Sequence, residues 1–340
     1  MDLLKALSEM SGAPGREEHV RAFILSQVKE HIDEHTIDAM GNLICRKKSA
    51  APGAKRVMLA CHMDEIAFYV RTIDDRGFLR LQPLGGFDVR NLFARRVRVQ
   101  GRDGSTYLGN MNPGGKPVHL ASAEERKKIP MISQFFVDLG LPAETVKEVV
   151  RPGDPVTLVQ EFAEIGDLVS GKSMDNRVAC WLGVRVLQQL TSSKYDLHVA
   201  FTVQEEIGVR GAQTSAFAVE PDISIGLDVT LAVDLPGAPP EDSITRLGEG
   251  VAIKIMDSGS VSDHALVDEF VELAESKDIT YQFEILPFGG TDTAALQRAR
   301  AGSKAITLSV PTRYVHTITE TIHKLDLHAA LDLLKAYLSA

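Results

Sequence analysis

Residues 57–66 read VMLACHMDEI, five apolar side chains in a row followed by an imidazole and, two and three positions later, two carboxylates. An uninterrupted apolar run of that length suits a strand buried on both faces, as in a parallel sheet covered by helices. The pattern recurs. Val199–Val203 leads into Gln204-Glu205-Glu206, Ile223–Leu227 into Asp228, and Ile306–Val310 through Pro311-Thr312-Arg313-Tyr314-Val315 to His316. Between these runs an apolar stripe at Val178, Leu182, Val186, Leu187 and Leu190 predicts a helix from about Asn176, with Asp175 at its start. Towards the amino terminus, Val20, Phe23, Ile24 and Val28 recur at helical spacing after Gly12-Ala13-Pro14-Gly15, and Ile37 to Arg46 reads as a strand with a turn at Gly41-Asn42. Strands interleaved with helices predict an α/β protein with a mixed, mostly parallel open sheet and helices on both faces.

From about Arg71 to Glu164 the texture changes to short runs broken by Gly77, Gly85-Gly86, Gly101, Gly104, Gly109 and Gly114-Gly115, then Pro152-Gly153-Asp154-Pro155. That segment reads as a small β-barrel or sandwich. With α/β texture on both sides, the expected organisation is a discontinuous domain, 1–70 and 165–340, carrying a β-rich insert at 71–164.

Composition removes several classes of function. The 340 residues are 44% hydrophobic and 24% charged, ample for a core and unlike disordered, collagen-like or membrane-spanning chains. The first twenty residues include acidic side chains and do not read as a signal peptide, so a cytoplasmic protein is expected. A net charge of −9 argues against nucleic acid as a partner. Cys45, Cys61 and Cys180 form no CxxC pair, so neither a disulfide framework nor a thiolate zinc site is readable. Chemistry must therefore use oxygen and imidazole.

The carboxyl ends of strands are where open α/β sheets place their sites. Four strand ends and one helix start offer two imidazoles, His62 and His316, and three carboxylates, Asp175, Glu206 and Asp228, with Asp64, Glu65 and Glu205 beside them. Two divalent ions ~3.5–4 Å apart need a bridging carboxylate and others to dilute the charge. With Asp175 as the bridge, and Asp228 and Glu206, three negative charges face four positive ones, and the remaining +1 suits hydrolysis of a carbonyl compound. Asp64, two residues after His62, is placed to take the second imidazole N–H. Of the adjacent glutamates, one can bind metal while the other takes a proton from the attacking water. The pairs Glu17-Glu18 and Glu124-Glu125 lie in polar helical contexts and read as solvated surface; the remaining eight histidines lack comparable placement.

Six stretches taken together resemble one family: ACHMDEI at 60–66, MDNR at 174–177, VQEEIGVRGA at 203–212, LDVT at 227–230, FGGTDT at 288–293 and PTRYVHT at 311–317. In this order, over essentially the whole chain, they resemble the tetrahedral aminopeptidases, dinuclear metallopeptidases that include glutamyl and deblocking aminopeptidases. The resemblance implies a zinc-exopeptidase-like fold, with His62, Asp175 and Asp228 on one ion and Asp175, Glu206 and His316 on the other. It implies Glu205 as general base, Asp64 supporting His62, and Gly289, Gly290, Thr291 and Asp292 bordering the substrate. It further implies two divalent ions, zinc or cobalt, peptide substrates with a free amino terminus, no membrane partner, and a dimerising insert whose dimers build a tetrahedral dodecamer.

Some positions depart from the family pattern. Ala67 stands where Gly is usual, and Thr293 where Ala is common. After His316 the chain reads Thr317-Ile318-Thr319-Glu320 and then His323 in place of HSPVE and a further acidic residue, which leaves that loop's geometry open. Rival readings are a dinuclear deacylase or carboxypeptidase with the same ligands, a glycosidase using Glu205 and Glu206, and a non-enzymatic assembly protein. Neither the preferred first residue of the substrate nor the native metal can be read from the sequence.

Overall fold

A computed structural model describes residues 1–102 and 104–339. In chain order, helices α1 (Asp2–Glu9) and α2 (Glu18–Val28) precede a hairpin of β1 (Glu34–Ile37) and β2 (Leu43–Lys47), and then β3 (Arg56–His62). The turn expected at Gly41-Asn42 lies in the connection between the two arms, the first of which begins at Glu34. Asp38 Oδ1 accepts from the N–H groups of Met40, Gly41 and Asn42, which folds the chain back and sets Ile37 opposite Leu43.

Six strands then close a barrel: β4 (Ala67–Ile73), β5 (Leu79–Leu84), β6 (Arg95–Gln100), β7 (Thr106–Pro113), β8 (Phe135–Asp138) and, after α3 (Ala143–Val149), β9 (Pro155–Leu158). They neighbour one another in the order β4-β5-β8-β7-β6-β9, all antiparallel. Phe68, Val70, Leu79, Leu81, Val97, Val99, Met111, Phe135, Val137 and Val156 fill its interior, the alternate residues of each strand that the two-residue period predicts. Closure removes the exposed edges an open sheet of this size would carry.

The chain then returns to the first sheet through β10 (Ala163–Ile165), β11 (Leu168–Gly171), α4 (Met174–Gln189), β12 (Asp196–Thr202), α5 (Arg210–Val219), β13 (Ile223–Leu231), β14 (Val251–Met256), α6 (His264–Ser276), β15 (Tyr281–Ile285), α7 (Thr293–Gln297), β16 (Lys304–Arg313), β17 (Glu320–His323) and α8 (Lys324–Leu338). The eleven-stranded sheet is mixed. Its centre, β12-β3-β13-β16, is parallel in register, and the flanks are mainly antiparallel. These four central strands are the four apolar runs of the sequence.

Helices cover both faces. Val57, Leu59 and Cys61 of β3 pack into the large core with α1, α2, α4 and α8, whereas Met58 and Ala60 point the other way into a smaller core with α5 and α7. A strand sandwiched in this way has no polar face, which is why its sequence does not alternate. Among the described residues no helix is long and apolar enough to cross a membrane.

Candidate metal centre and active site

His62 is the last residue of β3, Asp228 lies within β13, Asp175 opens α4, Glu205 and Glu206 follow β12, and His316 follows β16. Parallel register brings these ends to one edge of the sheet. The turns that present the side chains use left-handed backbone, uncommon outside glycine, at Ser173 (φ 59°), Gln204 (φ 57°) and His316 (φ 61°), and the Asp175–Asn176 peptide is cis. Asn176, wholly buried, donates from its amide to Leu227 O at 2.8 Å and so ties the start of α4 to β13.

Asp175 stands between the two imidazoles. Its Oδ1 lies 3.1 Å from His62 Nε2 and its Oδ2 3.3 Å from His316 Nε2. Glu206 Oε2 is 3.4 Å from His316 Nε2, and Asp228 Oδ1 is 3.9 Å from His62 Nε2. Donor atoms of His62, Asp175 and Asp228 all fall within 4.8 Å of one another, and so do those of Asp175, Glu206 and His316. Two triplets sharing one carboxylate, each of whose oxygens faces a different histidine, have the form of a paired cation site. Glu205 Oε2 lies 3.9 Å from His62 Nε2 but belongs to neither triplet.

The electrostatics agree with a site that takes cations. Burial, and then the Asp175 charge, push Asp228 up to about 8, and the same two influences hold Glu206 well above the usual carboxylate range. Burial and the neighbouring Asp228 raise Glu205 as well, against His62. The histidines move the opposite way to their burial: Asp175 and Glu206 carry His316 up to about 10, and Asp175 and Asp64 raise His62. Among the described residues no lysine or arginine pairs with any of these carboxylates. Glu206 Oε1 is buried without a hydrogen-bond partner, an atom that a divalent ion would satisfy. All donors are oxygen or imidazole nitrogen, a set that accepts zinc, cobalt or manganese.

The surrounding groups hold the donors in place. Asp64 is fully buried, and its two oxygens accept from Glu205 N (3.0 Å) and Glu206 N (3.1 Å). His62 Nδ1 is nearer the Asp64 carbonyl oxygen (3.2 Å) than its carboxylate (3.6 Å). One residue therefore fixes the imidazole through its backbone and the glutamate loop through its side chain. Glu65, adjacent in sequence, faces away from the donors: it accepts from Lys172 Nζ at 2.6 and 2.7 Å, Ser173 Oγ at 2.7 Å and Gly12 N at 3.0 Å, and so anchors the turn before Asp175.

Two positioning residues escape a reading of the sequence. Glu17, expected on the surface, is 2% exposed; its Oε1 accepts from Gly15 N (2.8 Å) and from Gln204 N (3.1 Å), holding the residue before the glutamate pair. Burial, with the Asp64 charge, pushes it up to about 7. Glu320 clamps the two ligand loops together, accepting from Asp175 N at 3.0 Å and His316 N at 2.7 Å. That contact supplies the loop geometry left open by the departures after His316, while His323 caps α8 by accepting from Leu325 N.

Gly289, Gly290 and Thr291 line a cavity of about 350 Å³ together with the metal-site residues. Asp292 lies beneath that lining, 3% exposed, accepting from Thr202 Oγ1 at 2.5 Å. Ala67 begins β4 opposite Leu84, wholly buried. Cys61 and Cys180 are buried with their thiols pushed up by desolvation, and neither belongs to a donor triplet.

A sheet with a parallel centre, carrying clustered carboxylates and imidazoles at its strand ends beside a substrate-sized cavity, defines a metal-dependent hydrolase. The chain belongs to the M42 glutamyl aminopeptidase family, whose pattern matches residues 41–333, and it is a metallo-aminopeptidase. It is similar to aminopeptidase APDkam598 of the archaeon Desulfurococcus kamchatkensis, at 36% identity and a TM-score of 0.94, with 99% of this chain and 94% of that one covered. The lysyl aminopeptidase of Pyrococcus furiosus is 32% identical over 99% of this chain and 96% of its own. A solved TET1 peptidase of Pyrococcus horikoshii, described as assembling into a tetrahedron or a large octahedral shell, aligns with a TM-score of 0.89 at 29% identity, covering 99% and 98% of the two chains.

Proposed function

We propose that the chain removes single residues from the amino termini of peptides at a two-cation centre, with His62, Asp175 and Asp228 holding one ion and Asp175, Glu206 and His316 the other. Zinc or cobalt fits the donors. When bound, the ions polarise the scissile carbonyl and lower the pKa of the attacking water. The observation that carries this reading is Asp175, whose oxygens address the two histidines separately. The Glu205 carboxylate, free of both triplets and 3.9 Å from His62, takes the water proton and passes it to the leaving amine nitrogen. Asp64 holds the Glu205 and Glu206 backbone so that one carboxylate stays on the metal side and the other on the water side. Thr291 and the Gly289-Gly290 backbone border the substrate.

The sheet-forming segments, expected at 1–70 and 165–340 and bounded in the fold by the barrel strands β4 and β9, act as the catalytic domain, and the barrel insert, expected at 71–164, acts as the subunit-contact domain of a dimer or dodecamer. Val118, Leu120, Ile129 and Met131, all at least 59% exposed and all between β7 and β8, give that insert apolar surface to cover. Light scattering tests it; a particle at the monomer mass of 37.1 kDa would remove the assembly.

The reaction is tested with Glu205→Gln. Both metals should remain by elemental analysis while turnover of an amino-acid anilide falls about 10²–10⁴-fold, the contribution of a positioned general base. Wild-type turnover in the variant would remove Glu205 from the mechanism. Equal hydrolysis of the N-acetylated anilide would replace the aminopeptidase reading by a deacylase one.

A further inference from the structure

The cavity beside the donor cluster has an apolar side built by Val229, Leu231, Leu286, Phe288 and Val315. Among the described residues no lysine or arginine lines it, and every carboxylate that does belongs to the catalytic cluster. Its two other hydroxyls are engaged behind the wall: Thr230 Oγ1 donates to Glu284 Oε1 at 2.6 Å, and Thr291 Oγ1 faces Asp257 Oδ2 at 3.4 Å. Those carboxylates flank Lys254 Nζ, at 3.0 Å from Glu284 and 3.4 Å from Asp257, and all three side chains are at most 2% exposed. Lys254 thus matches one of the two carboxylate charges, and neither carboxylate belongs to the cavity lining. Arg313, outside the lining, forks onto Asp234 at 2.6 and 2.7 Å, so its charge is already matched by a carboxylate.

We propose that this wall receives the side chain of the substrate's first residue and selects uncharged apolar ones, of the leucine, methionine and phenylalanine kind, against lysine, arginine, aspartate and glutamate. A charged side chain entering it leaves water without finding a partner, an uncompensated desolvation; an apolar one gains by leaving water. Pockets that discriminate by apolar fit separate substrates by roughly 10–200-fold per methylene, and a missing polar partner adds to that. The inference rests on the aminopeptidase reading above.

The test measures kcat/KM of the metal-loaded enzyme on aminoacyl coumarylamides carrying Leu, Met, Phe, Lys, Arg, Glu and Asp. The expected result is at least a tenfold advantage of Leu or Met over every charged residue. In a second arm, Leu231→Glu and Phe288→Glu place a carboxylate on the wall at positions 40% and 82% exposed, where folding tolerates it. At least one of the two should raise the Lys-to-Leu ratio tenfold or more, mainly through KM. A wild-type enzyme that prefers Lys, its ammonium reaching the unpartnered Oε2 of Glu284, or that prefers Glu, overturns the inference and leaves the aminopeptidase reading standing. So do two variants whose ratios stay within twofold of wild type. Failure to cleave any of the seven, with both ions bound, overturns the aminopeptidase reading itself.

Discussion

Replacing Glu320 by Gln perturbs the metal centre without touching a metal donor. Both Glu320 oxygens accept backbone N–H groups, one from each ligand loop, and the side chain is 2% exposed. A glutamine of the same shape has one carbonyl oxygen; its amide nitrogen must meet the second N–H, leaving a buried donor facing a donor. The loss is about 1–3 kcal/mol, the cost of one unsatisfied buried group, or roughly 5- to 150-fold in an equilibrium constant. The two loops carry Asp175 and His316, donors of the same triplet 3.3 Å apart, so the loss should fall on metal affinity. Burial and the Asp175 charge push Glu320 up to about 8 in the absence of cations, yet two N–H groups on two oxygens require its ionised form. The hydrogen bonds define the state that binds metal, since incoming cations favour the carboxylate. Calorimetric titration of manganese, cobalt or zinc into metal-free Glu320→Gln should show the dissociation constant of at least one ion raised 10–100-fold, the usual effect of such supporting residues. At saturating metal, kcat should return to within about threefold of wild type. A dissociation constant unchanged within twofold would refute the clamp, and lost turnover in fully loaded protein would give Glu320 a part in the chemistry instead.

Glu17 makes stability depend on pH. Its pKa in the folded chain is about 7 against an ordinary 4.5, so its contribution is fully present below 4.5 and is lost as pH rises through 7. Gln keeps the Oε1 acceptor, so metal-free Glu17→Gln should gain on wild type by roughly 3 kcal/mol between pH 4.5 and 8 in urea unfolding; a pH-independent difference would contradict this. A Cβ at Gly226 would stand 2.0 Å from Thr293 Oγ1. Gly226→Ala should therefore cost about 1–3 kcal/mol and be partly rescued by Thr293→Ala, whereas costs that add within about 0.5 kcal/mol would deny the coupling. Chelating the ions should lower the melting temperature, because each ion held at 100 times its dissociation constant contributes about 2.7 kcal/mol; an unchanged melting curve would show that the donor cluster binds no metal in the native state.

The strands that carry the site were legible because each is buried on both faces and reads as an apolar run. β14 and β15 were not, since VAIKIM and YQFEI place a lysine and a glutamate where a buried strand should be apolar. Lys254 and Glu284 are fully buried and lie 3.0 Å apart, so each cancels a charge that only the pairing of two strands brings together. Glu17 failed for a similar reason. Locally it is half of an acidic pair at a helix start, and the Gln204 N–H that explains it is 187 residues away. Glu65 shows the limit of inference from position: it follows the same strand as His62, but Lys172 and Ser173 claim it. Donor types and their order along the chain were readable; which neighbour supports which donor depended on contacts across the sheet.

The donors of the two triplets enter the chain at residues 62, 175, 206, 228 and 316, with the entire barrel threaded between the first and the second. The first triplet cannot exist before residue 228 has been made, and the second not before residue 316. The candidate centre therefore needs side chains from residue 62 to residue 316 in place at once, and no single stretch of the chain carries even one complete triplet by itself.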